Sequence, residues 1–408
     1  MERDADVLII GGGLNGAALG LALARGGLRV ALIDAQPLAA QRAPDFDGRA
    51  YALAVASIRL LEALGVWQDV ADRAQPILEI KATDGRAGEG AAPFFLHFDH
   101  GELEEGPMGH MLEDRHLRLA LQDAVAAEPG ITHHPAETVV AQETGPEGAR
   151  VMLASGGAVA GRLIVGCDGR ASGTAARAGI GRTGWGYGQT ALVCAIAHEL
   201  PHEGIAHQFF MPAGPLAILP LPGNRSSIVW SERDEIARGI AALDDAGYLA
   251  ALRPRFGDFL GEIALAGGRF SYPLSLSLAN SWVGERLALV GDAAHGIHPI
   301  AGQGLNLGLR DVAALAEVVI DAARRGEDFA SLAVLERYQR WRRFDTTTLA
   351  LGMDTVNRVF SNDSTLMRLG RDIGMAAVGA VPGLRRRFMR EAAGLTGDLP
   401  RLLRGRPL

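Results

Sequence analysis

The sequence predicts an α/β chain: a parallel sheet with flanking helices, interrupted by an inserted antiparallel or mixed β-sheet and followed by a C-terminal helical segment. Three observations lead there. An apolar N-terminal strand runs into a glycine-rich turn and an Ala/Leu-rich helix; further strand-and-turn units recur near residues 163–170 and 286–295; and much of the sequence between reads as hairpins broken by Pro-Gly pairs. With 408 residues, 48% apolar and 21% charged, the chain reads as an ordered globular protein with two interleaved domains sharing one site. The expected division places 1–73, 100–180 and 272–345 in the parallel-sheet domain. Residues 74–99 and 181–271 form the inserted sheet, and 346–408 the helical region.

Composition removes several function classes. A net charge of -7 argues against a nucleic-acid binder, which needs a basic face. Two cysteines, Cys167 and Cys194, are too few for a disulfide framework or metal cluster and fit a reducing, cytoplasmic setting. Glu2, Asp4 and Asp6 replace the basic start of a signal peptide. The apolar stretch 7–24 is interrupted by Asn15 and several glycines, so no spanning helix is expected.

The first unit is the strand Asp6-Val7-Leu8-Ile9-Ile10, the turn Gly11-Gly12-Gly13-Leu14-Asn15-Gly16, and a helix through Arg25. The turn has the spacing G-x-G-x-x-G of a Rossmann-type dinucleotide site. Gly11 permits the tight turn, Gly13 lets a pyrophosphate approach the backbone, and Gly16 lets helix and strand pack closely. The helix start, with Leu14 and Asn15, presents N–H groups to phosphate. Asp34, ending the second strand, is placed for an adenosine ribose. FAD and NAD are not distinguished at this point.

The downstream units separate them. Leu163 to Arg170 reads as a strand and turn carrying Asp168, and Arg286 to His295 as another carrying Gly291 and Asp292. Pro299 and the run Gly302-Gln303-Gly304-Leu305-Asn306 then open a helix. A second strand, turn and helix so distant from the first suits FAD, whose flavin half extends away from the adenosine. Asp292 can hold a ribityl hydroxyl, and the helix start can direct N–H groups at the flavin pyrimidine edge. Arg49 and Arg115 are candidate phosphate forks, with a surface ion pair as the alternative for each. His295 and His298 read as packing and hydrogen-bonding groups, since nothing near them has metal-ligand spacing.

Taken together, these residues resemble the group A flavoprotein monooxygenases, the p-hydroxybenzoate hydroxylase type, with Asp168-Gly169 and Gly291-Asp292 matching two of their motifs. Within that group the chain is similar to the ubiquinone-biosynthesis hydroxylases. The similarity lies in Gly48 to Leu53, Leu64 to Trp67, Arg115-His116-Leu117, and Gly291 to Asn306. The resemblance implies an FAD monooxygenase using O2 and NAD(P)H, which hydroxylates a hydrophobic (poly)prenyl phenol through a flavin C4a-hydroperoxide and needs no catalytic triad. Phe209, Ile218, Pro220 and Trp230 of the inserted sheet, with Pro299, are the candidate substrate-pocket residues; the alternative for the four sheet residues is that they are simply core.

A prenyl tail implies a membrane surface or a biosynthetic complex as partner. The basic, apolar-interleaved stretch Leu384 to Arg390 is a candidate contact at the inner membrane face, or else a solvated terminal helix. Homo-oligomerisation stays open. The rivals are a same-fold FAD enzyme on another phenolic or prenyl substrate, an NAD-dependent dehydrogenase, and a non-catalytic flavin-binding subunit. The Asp292 motif counts against the dehydrogenase.

Overall fold

The computed structural model describes residues 3–43, 45–88, 90–102, 105–298, 302–360 and 381–408. All four residues of strand Val7–Ile10 are buried, which is why the run is uniformly apolar rather than alternating. It sits inside a six-stranded sheet ordered Val283–Gly284, Leu287–Leu289, Leu163–Gly166, Val7–Ile10, Val30–Asp34, Ile131–Pro135. Neighbours are parallel except at the Val283–Gly284 edge. Ile10 is level with Gly166, and Gly166 with Leu289. The turns beginning at Gly11, Cys167 and Val290 therefore gather at one carboxyl edge of the sheet, although they are far apart in sequence.

Helix Leu14–Arg25 packs against helix Gln303–Arg324, which in turn packs against Leu332–Phe360. The first contact is close: a Cβ at Gly26 would collide with the Ile320 side chain. One hydrophobic core joins these helices to the parallel sheet.

The second large sheet is mixed. Arg182–His198 pairs antiparallel with Arg225–Arg233 and Phe270–Ala279, while Glu79–Arg86 pairs parallel with Ile205–Met211. Strands Glu79–Arg86 and Gly90–Asp99 thus share a sheet with strands more than 100 residues later. Strand Phe270–Ala279 also belongs to this sheet, so the boundary expected at 272 falls inside a strand.

Helices Asp234–Ala241 and Asp245–Phe256 cover one face of this sheet, burying Leu192, Leu216, Trp230 and Tyr248 among their neighbours. The other face contributes Ala206 and Leu221 to a cluster with Ile77, Met108 and Met389. The C-terminal region is helical at Leu332–Phe360 and Pro382–Ala392. The expected fold class is what the structure shows: an α/β chain with an inserted mixed sheet and a helical C-terminal segment.

Candidate active site

Two positions of the first turn admit only glycine. Gly11 has φ +101°, and a Cβ there would lie 2.5 Å from the Cys167 carbonyl oxygen. A Cβ at Gly16 would collide with the Gly11 carbonyl oxygen. At Gly13, by contrast, an added Cβ meets nothing within 4 Å. Asp34 closes the turn, accepting hydrogen bonds from Gly12 N at 2.5 Å and Gln36 N at 2.7 Å.

The second turn is held from below. Gly291 adopts φ +62°, and its N–H donates to the Asp311 carboxylate at 3.1 Å. Arg182 donates to the Ala293 and Asp292 carbonyls at 2.6 and 3.2 Å, fixing the Asp292 backbone. The Asp292 side chain lies 3.3 Å from Arg170 Nε. Asp311 is fully buried and also receives His295 Nε2 at 2.5 Å and Arg342 Nε at 3.0 Å. Burial alone would raise its pKa, but attraction and hydrogen bonding from His295 and Arg342 hold the carboxyl below its usual range. His295 is thus the packing and hydrogen-bonding group expected.

Helix Gln303–Arg324 starts at Gly302, which has φ +62°. Asn306 staples that start to strand Ala50–Ala54: Nδ2 donates to the Ala52 carbonyl at 2.8 Å, and Oδ1 accepts from Ala54 N at 2.9 Å and Ser57 Oγ at 2.7 Å. An added Cβ at Gly304 meets nothing within 4 Å.

Both helix starts open onto one cavity of about 1240 Å³. Its polar end includes Gly13, Leu14, Asn15, Asp292, Gly302 and Gly304, with Leu305 and Asn306 beside them. Its other end is apolar, walled by Ala82, Leu96, Ala217, Leu219 and Val229 of the mixed sheet and by Phe388 and Met389. Neither helix has a side-chain N-cap or an acid in its first turn. Their leading N–H groups and positive dipole ends are therefore left for an anionic, polar ligand. The open glycine faces, the carboxylate of Asp292 and the adjoining apolar space fit FAD with an apolar substrate beside it.

Several expected site residues do not line this cavity. Gly11, Gly16 and Gly291 shape the backbone, and Asp34 secures the first turn. Asp168 accepts from Ser172 Oγ at 2.5 Å and from Thr174 N and Oγ1 at 2.9 and 2.8 Å, anchoring helix Gly173–Arg177. Arg49 pairs with Asp47 at 2.6 Å and Asp114 at 3.5 Å, and Arg115 with Glu113 at 2.8 Å. The hydrogen bond that Arg49 donates to Asp47 also pushes the Arg49 pKa further up.

The substrate residues need a correction. Phe209, Ile218 and Trp230 point to the opposite face of the sheet, into the core beneath helices Asp234–Ala241 and Asp245–Phe256. Pro220 shares the parity of Ile218 and is buried as well. The cavity is lined instead by their neighbours Phe210, Ala217, Leu219 and Val229. A one-residue shift reverses the face of every side chain in a strand, and both faces here are apolar, so alternation gave no warning. Pro299 lies outside the described residues. Gln208, Arg170, Phe388 and Met389 went unnoticed as cavity residues. For Gln208 a signal existed, an amide between the apolar residues Ala206 and Phe210 on its own strand face.

A family model described as an FAD binding domain matches residues 4–348. The chain is 46% identical to "Ubiquinone hydroxylase UbiL" of Rhodospirillum rubrum, over 100% of this chain and 94% of that protein. It is 35% identical to "3-demethoxyubiquinol 3-hydroxylase" of Escherichia coli, over 97% of this chain and 100% of that protein. In fold it is similar to p-nitrophenol 4-monooxygenase PnpA of Pseudomonas putida. The TM-score is 0.81 and the identity 18%, over 98% of this chain and 100% of that one. With a family model spanning most of its length and such relatives covering it end to end, the chain belongs to the FAD-binding flavoprotein monooxygenase family, among the ubiquinone-biosynthesis hydroxylases.

Proposed function

We propose that this protein is an FAD-dependent monooxygenase that hydroxylates the aromatic ring of a (poly)prenyl phenol in ubiquinone biosynthesis, with O2 as oxygen source and NAD(P)H as electron donor. The carrying observation is the single cavity that joins two uncapped helix starts to an apolar sheet wall. In this reading Gly13, Leu14 and Asn15 receive the pyrophosphate, Asp34 the adenosine ribose, and Asp292 a ribityl hydroxyl. Gly302, Gly304, Leu305 and Asn306 border the flavin ring. Arg49, Arg115 and Asp168 support the site through their ion pairs and cap.

FAD, once reduced, supplies the oxygen chemistry. The protein's own work is to bind, orient and keep water out: the apolar wall excludes solvent, and the helix dipoles favour negative charge at the polar end. Cells lacking the protein should accumulate an under-hydroxylated prenyl phenol. Unchanged quinone intermediates would overturn the reading. Purified holoprotein should consume O2 with NAD(P)H and an alkylphenol present, whereas a flavin-binding subunit without activity would not.

The lipid tail also bears on where the protein works. Among the described residues no helix is long and apolar enough to cross a membrane. Helix Pro382–Ala392 instead exposes Arg386, Arg387 and Arg390 beside Leu384 and Phe388, with Phe388 also lining the cavity. Against a net charge of -7, this basic, apolar helix suits an anionic bilayer surface at the cavity mouth. Phe388→Asp should reduce co-sedimentation with phosphatidylglycerol vesicles, and wild-type protein that does not sediment with them rejects the membrane contact.

A further inference from the structure

One row of cross-strand neighbours forms the middle of the sheet wall: Leu96, Ala82, Gln208, Ala217 and Val229. All five border the cavity. Gln208 is the only polar member of this row, and the residues on either side of it are alanines, whose short side chains leave its amide unflanked by bulk along the row. The adjacent His207 also borders the cavity, but its ring packs away from Gln208, its centroid 4.7 Å from that of Phe259 and 6.0 Å from that of Phe209.

The orientation of the amide follows from its partner. Gln208 Nε2 donates to the Leu216 carbonyl at 3.3 Å. A carbonyl only accepts, so the nitrogen must face Leu216 and Oε1 must face away from it. Among the described residues nothing donates to Oε1, and the atom is not sealed from the cavity. The wall therefore offers a ligand one fixed acceptor in apolar surroundings, where an unmet hydrogen bond is costly and a met one selective.

We infer that Gln208 is the positioning residue for the substrate ring, accepting a hydrogen bond from a phenolic hydroxyl while the apolar substituent lies along the alanine- and leucine-lined wall. This rests on the phenol reading above. It implies discrimination: a ring whose hydroxyl is methylated has no donor for Oε1 and leaves it unpaired.

The test is a titration of FAD-reconstituted protein with 2-decylphenol and with its O-methyl ether, followed by the change in flavin absorbance. Wild type should bind the phenol about tenfold more tightly than the ether. Gln208→Met, which nearly conserves volume, should lose that preference by weakening the phenol and binding the ether at least as tightly as wild type, since no acceptor is then left unpaired. A Met variant that keeps the preference overturns the assignment to Gln208, and so does equal weakening of both probes, which marks a structural role. In both cases the phenol reading stands. Wild-type protein that binds neither probe rejects the phenol reading itself, and the inference with it.

Discussion

Replacing Asp311 with alanine should lower the unfolding free energy by about 3–5 kcal/mol, because it leaves Arg342 and His295 buried without their partner. Arg342 is 3% exposed and His295 1% exposed, so neither can recover its loss in water. The Gly291 N–H loses its acceptor at the same stroke. Urea denaturation at pH 7 measures the effect, and a cost below about 1 kcal/mol would contradict the account of a buried, coupled cluster.

The pH dependence has a definite sign. The Asp311 carboxyl is held below the ordinary aspartate value of 3.8, so it binds a proton less readily in the folded protein than in the unfolded chain. Its contribution to stability is complete above the unfolded value and disappears as pH falls through the folded one. Wild type should therefore lose more stability than Asp311→Ala on acidification below about pH 4.

The second large effect is on cofactor retention. Asp292→Ala should weaken FAD binding about tenfold to a hundredfold, the range for losing a hydrogen bond to a charged group. Flavin fluorescence during reconstitution of apoprotein reads the dissociation constant directly. Asp292→Asn provides the control, since it keeps the shape and one acceptor but loses the charge opposite Arg170. An alanine variant that retains FAD like wild type would remove Asp292 from the cofactor site and leave it a surface partner of Arg170.

The two ends of the site were legible to different degrees. At the polar end, meaning is local: a φ of +101° at Gly11 or +62° at Gly302 favours glycine, and a helix start follows within a few residues. The sequence therefore pointed to Gly13, Asp292 and Gly304 without any knowledge of packing. Charged groups were less certain, because a charge has no fixed partner until the chain is folded. Arg49 and Arg115 looked like phosphate forks, yet Asp47, Asp114 and Glu113 lie against them. Asp168, part of a recognisable motif, proves to anchor a short helix.

At the apolar end, local pattern carried almost no information. In the strand Gly214–Leu221, Leu216, Ala217, Ile218 and Leu219 are all apolar, and either parity could have faced the cavity. Helices Asp234–Ala241 and Asp245–Phe256 decide the matter by covering the face that holds Ile218 and Trp230, which leaves Ala217, Leu219 and Val229 to the cavity. The amino-acid sequence by itself determined the α/β architecture and the glycine turns, because backbone conformation and helix-end chemistry are properties of neighbouring residues. Only the tertiary structure decided which side of the mixed sheet faces the cavity and which charges are already paired, because both depend on what distant elements cover.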